Sequence, residues 1–333
     1  MRQRPLGVLL LGSDPGASSP QGSLRRALSR CGVVTGFTEP TDGKCRSRWY
    51  RLTLLLNADA IVVLSYGALP MLTLRKLALA AAIGVPIVRW WVGSDVLNCL
   101  RMDRVKRSAL LLDTLVAANV AVAPHLVGEL RTIGISATCV PSFVDDSREN
   151  GGPWNPEVAR RVLVYLPNTH ADFYGADLVG EVIRANADLS FVIVADREHR
   201  FAGLSNVESL GWVDEMENVY RRVGILLRVT KHDGSPRMVL DAMLRRRHVI
   251  FSGCFPGCWL ARTFSEVHER LAMLRTLRGP NDEGRAAAIE LLTPPPAERF
   301  VGVLREVARS VSVSHRVRAI LTALRRAGPR ENP

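Results

Sequence analysis

Two aspartates, Asp233 and Asp241, stand in a D-x7-D spacing within the stretch "RVTKHDGSPRMVLDAM". Gly234, Ser235 and Pro236 follow the first, and Met238, Val239, Ala242 and Met243 set a helical apolar spacing around the second. Serine at a cap position and proline in a first turn are helix-start signals. The amides of such a start, at the positive end of the helix dipole, attract phosphate, while carboxylates accept hydrogen bonds from sugar hydroxyls. Asp233 before the helix and Asp241 about one and a half turns into it would address two parts of one elongated ligand, with a diphosphate between them. A nucleotide sugar has that chemistry. The same residues also fit a second reading, in which they form only a helix cap and a solvated face.

A phosphate site of this kind needs a helix start at the carboxyl edge of a parallel sheet. The chain has the matching pattern. Short apolar runs at 6–11, 60–65, 86–91 and 120–123 alternate with helical spacing at 23–30, 69–83, 105–118 and 125–134, and a short strand is expected at 137–140. This alternation predicts a doubly wound α/β domain over residues 1–146. Residues 147–160, rich in Gly, Pro, Asn and charge, are expected to link it to a second domain. There, strands are expected at 161–166, 190–195, 207–210, 224–229 and 248–252, with helices at 177–187, 216–222 and 236–245, in a domain covering 161–275. The remainder, 276–333, reads as a helical tail that packs back on the first domain.

A chain of 333 residues fits two domains at roughly 150 residues each. Its 47% apolar and 23% charged content is that of a packed globular protein. The net charge of +12 comes almost entirely from arginine, a skew that GC-rich coding explains, yet the resulting field still favours anionic partners. No helix-turn-helix, zinc or aromatic–basic stacking motif accompanies the charge, so nucleic acid is not an expected partner. The six cysteines are expected to be reduced, and Cys254 and Cys258 lack the second ligand pair of a zinc site. The seven histidines show no paired ligand spacing, so no metal is expected. The run 6–12 is followed by Ser13-Asp14-Pro15-Gly16 and reads as a strand rather than a signal peptide; the run 77–88 falls short of the ~20 residues of a membrane span. A cytoplasmic protein is expected, peripheral at most at the inner face of the cell membrane.

With these residues in view, the sequence resembles the retaining GT-B glycosyltransferases of family 4, also called group 1. The D-x7-D stretch resembles the family's E-x7-E motif with each acid one methylene shorter, in an "HDG" form associated with bacterial surface-polysaccharide transferases. The segments "NVESLGWVDEMENVYRRVGILLRVT", "ADAIVVLSYG" and "WWVGSDVLN" extend the resemblance over most of residues 1–260. It implies an α/β GT-B fold of two Rossmann-like doubly wound domains facing a cleft, the first taking an acceptor and the second a nucleotide sugar of UDP or GDP type. No other cofactor is implied. Asp233 would hold donor-sugar hydroxyls, Asp241 the ribose, and the backbone at Gly234, Ser235, Arg237 and Met238 the diphosphate. Gly12 and Ser13 match a loop after the first strand, and Gly93-Ser94-Asp95 a loop lining the acceptor side, with Asp95 as the acceptor contact. His125 after the fifth strand either caps its helix or joins that loop. In the family's mechanism the acceptor attacks on the face from which the diphosphate departs, so positioning and charge stabilisation do the catalysis. The implied transfer moves a hexose, without metal, to a glycan or lipid-linked acceptor. Arginines at Arg25-Arg26, 101–107 and 316–326 suit an anionic membrane surface.

The sequence departs from the family in two places. The basic pair usual after the first strand of the second domain is missing from "LPNTHADFYGADL", where Thr169 and His170 stand instead, leaving Arg228 or Lys231 as the candidate cation. Arg245-Arg246-Arg247 replaces the usual glycine after the motif helix. A catalytically weakened GT-B protein that binds a nucleotide or a partner transferase is therefore an alternative, as is a nucleotide-sugar 2-epimerase.

Overall fold

The structure is a computed structural model that describes residues 5–16, 19–39, 57–144, 154–274, 276 and 279–309. Residues 147–153 of the expected linker and the arginine-rich stretch 316–326 lie outside the described residues. The chain divides into two compact units, one running to Phe143 and resuming at Pro294, the other spanning Val144–Thr293.

The first unit is built on β1 (Gly7–Leu10), β2 (Val34–Phe37), β3 (Ala60–Val63), β4 (Ile87–Trp91), β5 (Val116–Ala121) and β6 (Thr138–Cys139), in the order β2-β1-β3-β4-β5-β6. The second contains β7 (Arg161–Tyr165), β8 (Ser190–Val194), β9 (Val207–Gly211), β10 (Ile225–Arg228), β11 (His248–Phe251) and β12 (Trp259–Leu260), ordered β12-β11-β10-β7-β8-β9. Every pairing is parallel. Parallel strands are covered on both faces and therefore read as continuous apolar runs: "AIVV" of β3 and "IVRWW" of β4 are buried at every position. Each unit is thus a Rossmann-like doubly wound domain, as the alternating pattern predicted.

The structure differs from the sequence reading in several elements. The helix expected over 105–118 runs Asp103–Asp113, and β5 starts at Val116. The Ala-rich "VAANVA" fits a helical spacing, but Asn119 decides for the strand: it accepts from Trp91 Nε1 at 3.0 Å and donates to Asp113 Oδ1 at 2.8 Å. A helix at Ser94–Arg101 and the strand β2 were not expected. The tail after residue 276 is shared between the units. Its Asp282–Leu291 helix buries Ala288 in the core of the second, with Val239 and Met243. The Pro296–Arg309 helix places Phe300 against Trp90 and Phe143 of the first, with ring centroids 6.2 and 5.8 Å apart. Among the described residues no helix is long and apolar enough to cross a membrane.

Candidate functional site

Counted from β7, the second sheet has the 3-2-1-4-5-6 order of dinucleotide-binding sheets. The order reverses between β7 and β10, which pair directly, and ligands of such sheets bind outside the carboxyl ends of the strands at this switch point. The loop after β10 carries Asp233, and the loop after β7 carries Thr169 and His170, both exposed. Two contacts hold the loops together. The Lys231 amide donates to the Phe173 carbonyl at 2.9 Å, and Gly175 lies so near Val229 that an added Cβ would sit 2.7 Å from its carbonyl oxygen. Gly175 also has φ +69°, a left-handed conformation that glycine adopts without strain.

Arg228, the last residue of β10, lies inside this junction. Its Nε and Nη2 both donate to Asp233 Oδ2, at 2.8 and 2.6 Å, while Asp233 Oδ1 accepts from the Gly234 amide at 2.9 Å. The guanidinium stands 5.6 Å from the Tyr165 ring centroid and 5.4 Å from that of Tyr174. Burial opposes its charge, but the Asp233 carboxylate, helped by Tyr174 and Tyr165, outweighs burial and raises the Arg228 pKa further. Arg228 rather than Lys231 is thus the cation built into the crossover point; the Lys231 side chain is exposed.

The helix expected at 236–245 runs Arg237–Leu244, with Pro236 as its N-cap residue and no side-chain cap bond. The Arg237 and Met238 amides lie in its first turn, at the positive end of the dipole. Ser235 is buried just ahead of it. Asp241 faces Arg245 one turn on, at 3.6 Å, and Arg245 also donates to Glu217 at 2.7 Å and stands 4.9 Å from the Tyr220 ring centroid. Burial would raise the Glu217 pKa, yet the bond from Arg245 and the nearby Arg221 bring it below the usual carboxylate range. Tyr220 in turn donates to the Met238 carbonyl at 3.3 Å. Sequence spacing pointed to Asp241 and Arg228 but missed Tyr165, Tyr174, Glu217, Tyr220 and Arg245. Arg245 did stand at the i,i+4 spacing from Asp241, whereas Tyr165, Tyr174, Glu217 and Tyr220 come from other elements and carry no spacing relation to the motif.

The residues expected on the acceptor side all lie in the first unit. Gly12, with φ +99°, follows β1 in the loop beyond it and its amide donates to Thr38 Oγ1 at 2.8 Å; Ser13 beside it is exposed. Gly93, with φ +128°, is the N-cap residue of the Ser94–Arg101 helix, and His125 is exposed in the first turn of the Pro124–Thr132 helix. Asp95 is fully buried rather than presented to an acceptor. Its Oδ1 accepts from the amides of Val92, Gly93 and Val96 at 3.0, 2.9 and 3.0 Å, so it fixes the turn that exposes Ser94. Burial pushes its pKa up to about 6 against the pull of those amides. Among the described residues no group of three or more His, Cys, Asp or Glu is placed to hold a metal ion.

Anabaena Alr3699/HepE, solved with UDP and glucose, superposes with a TM-score of 0.65 at 12% identity, covering 90% of this chain and 100% of that one. The chain has the GT-B fold. The GT-B match extends to the lipopolysaccharide outer core galactosyltransferase WaaB, at TM-score 0.63 and 11% identity, covering 90% of this chain and 99% of that chain. A glycosyltransferase from Rickettsia africae matches at TM-score 0.64 and 10% identity, covering 92% and 99%. No family model and no curated protein matches the chain by sequence.

Proposed function

We propose that the chain is a retaining, metal-independent glycosyltransferase of the family 4 type, moving a hexose from a UDP- or GDP-sugar to a glycan or lipid-linked acceptor in bacterial surface-glycan synthesis. The observation that carries this reading is the Arg228–Asp233 pair at the β7/β10 crossover, directly ahead of a helix start without a side-chain cap. A diphosphate at that start would be met by the Arg237 and Met238 amides and by Arg228, the cation that stands in for the basic pair missing after β7. Once its guanidinium turns to phosphate, Asp233 is released to accept hydrogen bonds from the donor sugar. Asp241, steadied by Arg245 and Glu217, would hold the ribose. With charge on the leaving diphosphate stabilised this way, the acceptor attacks from the same face and no enzyme nucleophile is required. The GT-B solved structures, one bound to UDP and glucose, support the donor class. A cytoplasmic setting at the inner membrane face belongs to the same proposal.

The test is a thermal-shift series with UDP, GDP, ADP, TDP and their sugar derivatives, followed by a transfer assay with the sugar that stands out. A ligand that binds only the folded protein raises its melting temperature. No shift with any diphosphate would sink the donor-site assignment.

A further inference from the structure

Among the described residues, most of the exposed large apolar side chains lie in one stretch of the first unit, residues 66–111. Met71, Leu72 and Leu79 stand out from the Met71–Ala82 helix, at 58%, 63% and 52% exposure. Leu100 and Met102 stand out where the Ser94–Arg101 and Asp103–Asp113 helices meet, and Leu111 follows at 53%. These segments are neighbours. β3, β4 and β5 are adjacent and parallel, so right-handed crossovers bring their connecting helices to one face of the sheet. The Leu69 amide donates to Ser108 Oγ at 2.9 Å, and Asn98 Nδ2 donates to the Tyr66 carbonyl at 2.7 Å, tying both the 94–101 and the 103–113 helix to the loop before the 71–82 helix.

The charge on this surface is predominantly positive. Between Asp59 and Asp95 the sequence has no acidic residue, and Asp95 is buried. Arg75, Lys76, Arg101, Arg104 and Arg107 are exposed around the apolar side chains, with Asp103 the one exposed acid among residues 60–112. Basic heads around a cluster of exposed Leu and Met suit an interface that is anionic at its surface and apolar just beneath. A second copy of the same surface would bring like charges together.

We propose that this face of the first unit, formed by the 71–82 and 94–113 helices, binds the surface of an anionic lipid bilayer, with Leu72, Met102 and Leu111 entering the interfacial layer and Arg101, Arg104 and Arg107 meeting headgroups. The proposal does not depend on the glycosyltransferase reading, because it rests on a surface separate from the donor residues. It adds that this face, and not the arginine content as a whole, makes the contact.

The test is flotation of the full chain with vesicles of phosphatidylcholine alone or mixed with phosphatidylglycerol. The expected result is binding to the mixed vesicles alone, weakened by salt. Near such a surface each basic residue strengthens binding about fivefold, so R101E/R104E should lose at least about twentyfold. L72S/M102S/L111S leaves the charge unchanged and should lose about tenfold or more. Both sets change exposed positions, so unchanged melting temperatures are expected. No flotation with the mixed vesicles overturns the proposal. So does an L72S/M102S/L111S variant that floats like the wild type, which would mean dispersed charge attraction, or a wild-type dimer that this variant abolishes while vesicles stay unbound.

Discussion

Arg228 donates from both Nε and Nη2 to one oxygen of Asp233, and the two side chains are only 10% and 18% exposed. A pair this well buried is coupled to stability as well as to ligand binding. Removing the carboxylate would strand a buried guanidinium at a cost of about 3 kcal/mol. Asp233→Ala is therefore expected to lower the urea midpoint and to abolish sugar transfer. Arg228→Leu combined with Asp233→Ala should recover part of the stability and none of the activity. Additive stability losses in the two single variants and the double variant would refute the coupling.

Arg228 is also the cation assigned to the diphosphate. Arg228→Gln should weaken binding of the responding nucleoside diphosphate by about ten- to hundredfold, the range for a charged hydrogen bond, and leave the matching nucleoside almost unaffected. Calorimetric titration of both ligands reads the difference. Equal losses for the two would point to a general collapse of the site.

Asp95 makes stability depend on pH with a definite sign. Its folded pKa, about 6, lies above the ordinary carboxyl value of 3.8. The folded state therefore holds the proton more tightly, and the stabilisation is fully present below pH 3.8 and lost as pH rises through about 6. The shift corresponds to about 3 kcal/mol. Because three amides converge on Oδ1, an Asn carbonyl can replace that acceptor without a proton. Asp95→Asn should gain on the wild type from about pH 4 to 6.5 and then hold level, in denaturation curves taken across that range. A difference independent of pH would mean that Asp95 stays ionised throughout.

Gly175 locks the loop after β7 against the end of β10. Gly175→Ala combines a left-handed backbone, costing about 1–3 kcal/mol, with a Cβ pressed toward the Val229 carbonyl. Gly203→Ala meets open space and serves as the control. The expected outcome is a lower denaturation midpoint for the first alone. Its Tyr174 should also shift relative to Arg228, weakening diphosphate binding. Equal midpoints for the two variants would show that the loop relaxes at no cost.

Local information was enough for the parallel α/β character of both units, because strands covered on two faces must be apolar runs and the helices between them must show one apolar stripe. It was also enough for a helix start behind Asp233, although the expected serine cap is not made: the helix begins at Arg237, with Pro236 as its N-cap residue and no side-chain cap bond. Only tertiary structure decided which cation is built into the β7/β10 crossover. Strand order places β10 beside β7, so Arg228 reaches Tyr165 and Tyr174 from far along the chain, and no spacing rule encodes that neighbourhood. Asp95 shows the opposite case: a Gly-Ser-Asp segment reads as an exposed loop, yet three backbone amides draw the carboxylate inward and leave Ser94 outside. The tail was legible as helix because its apolar period is local, but the sharing of its helices between two units depends on which surfaces were left uncovered once both sheets had formed.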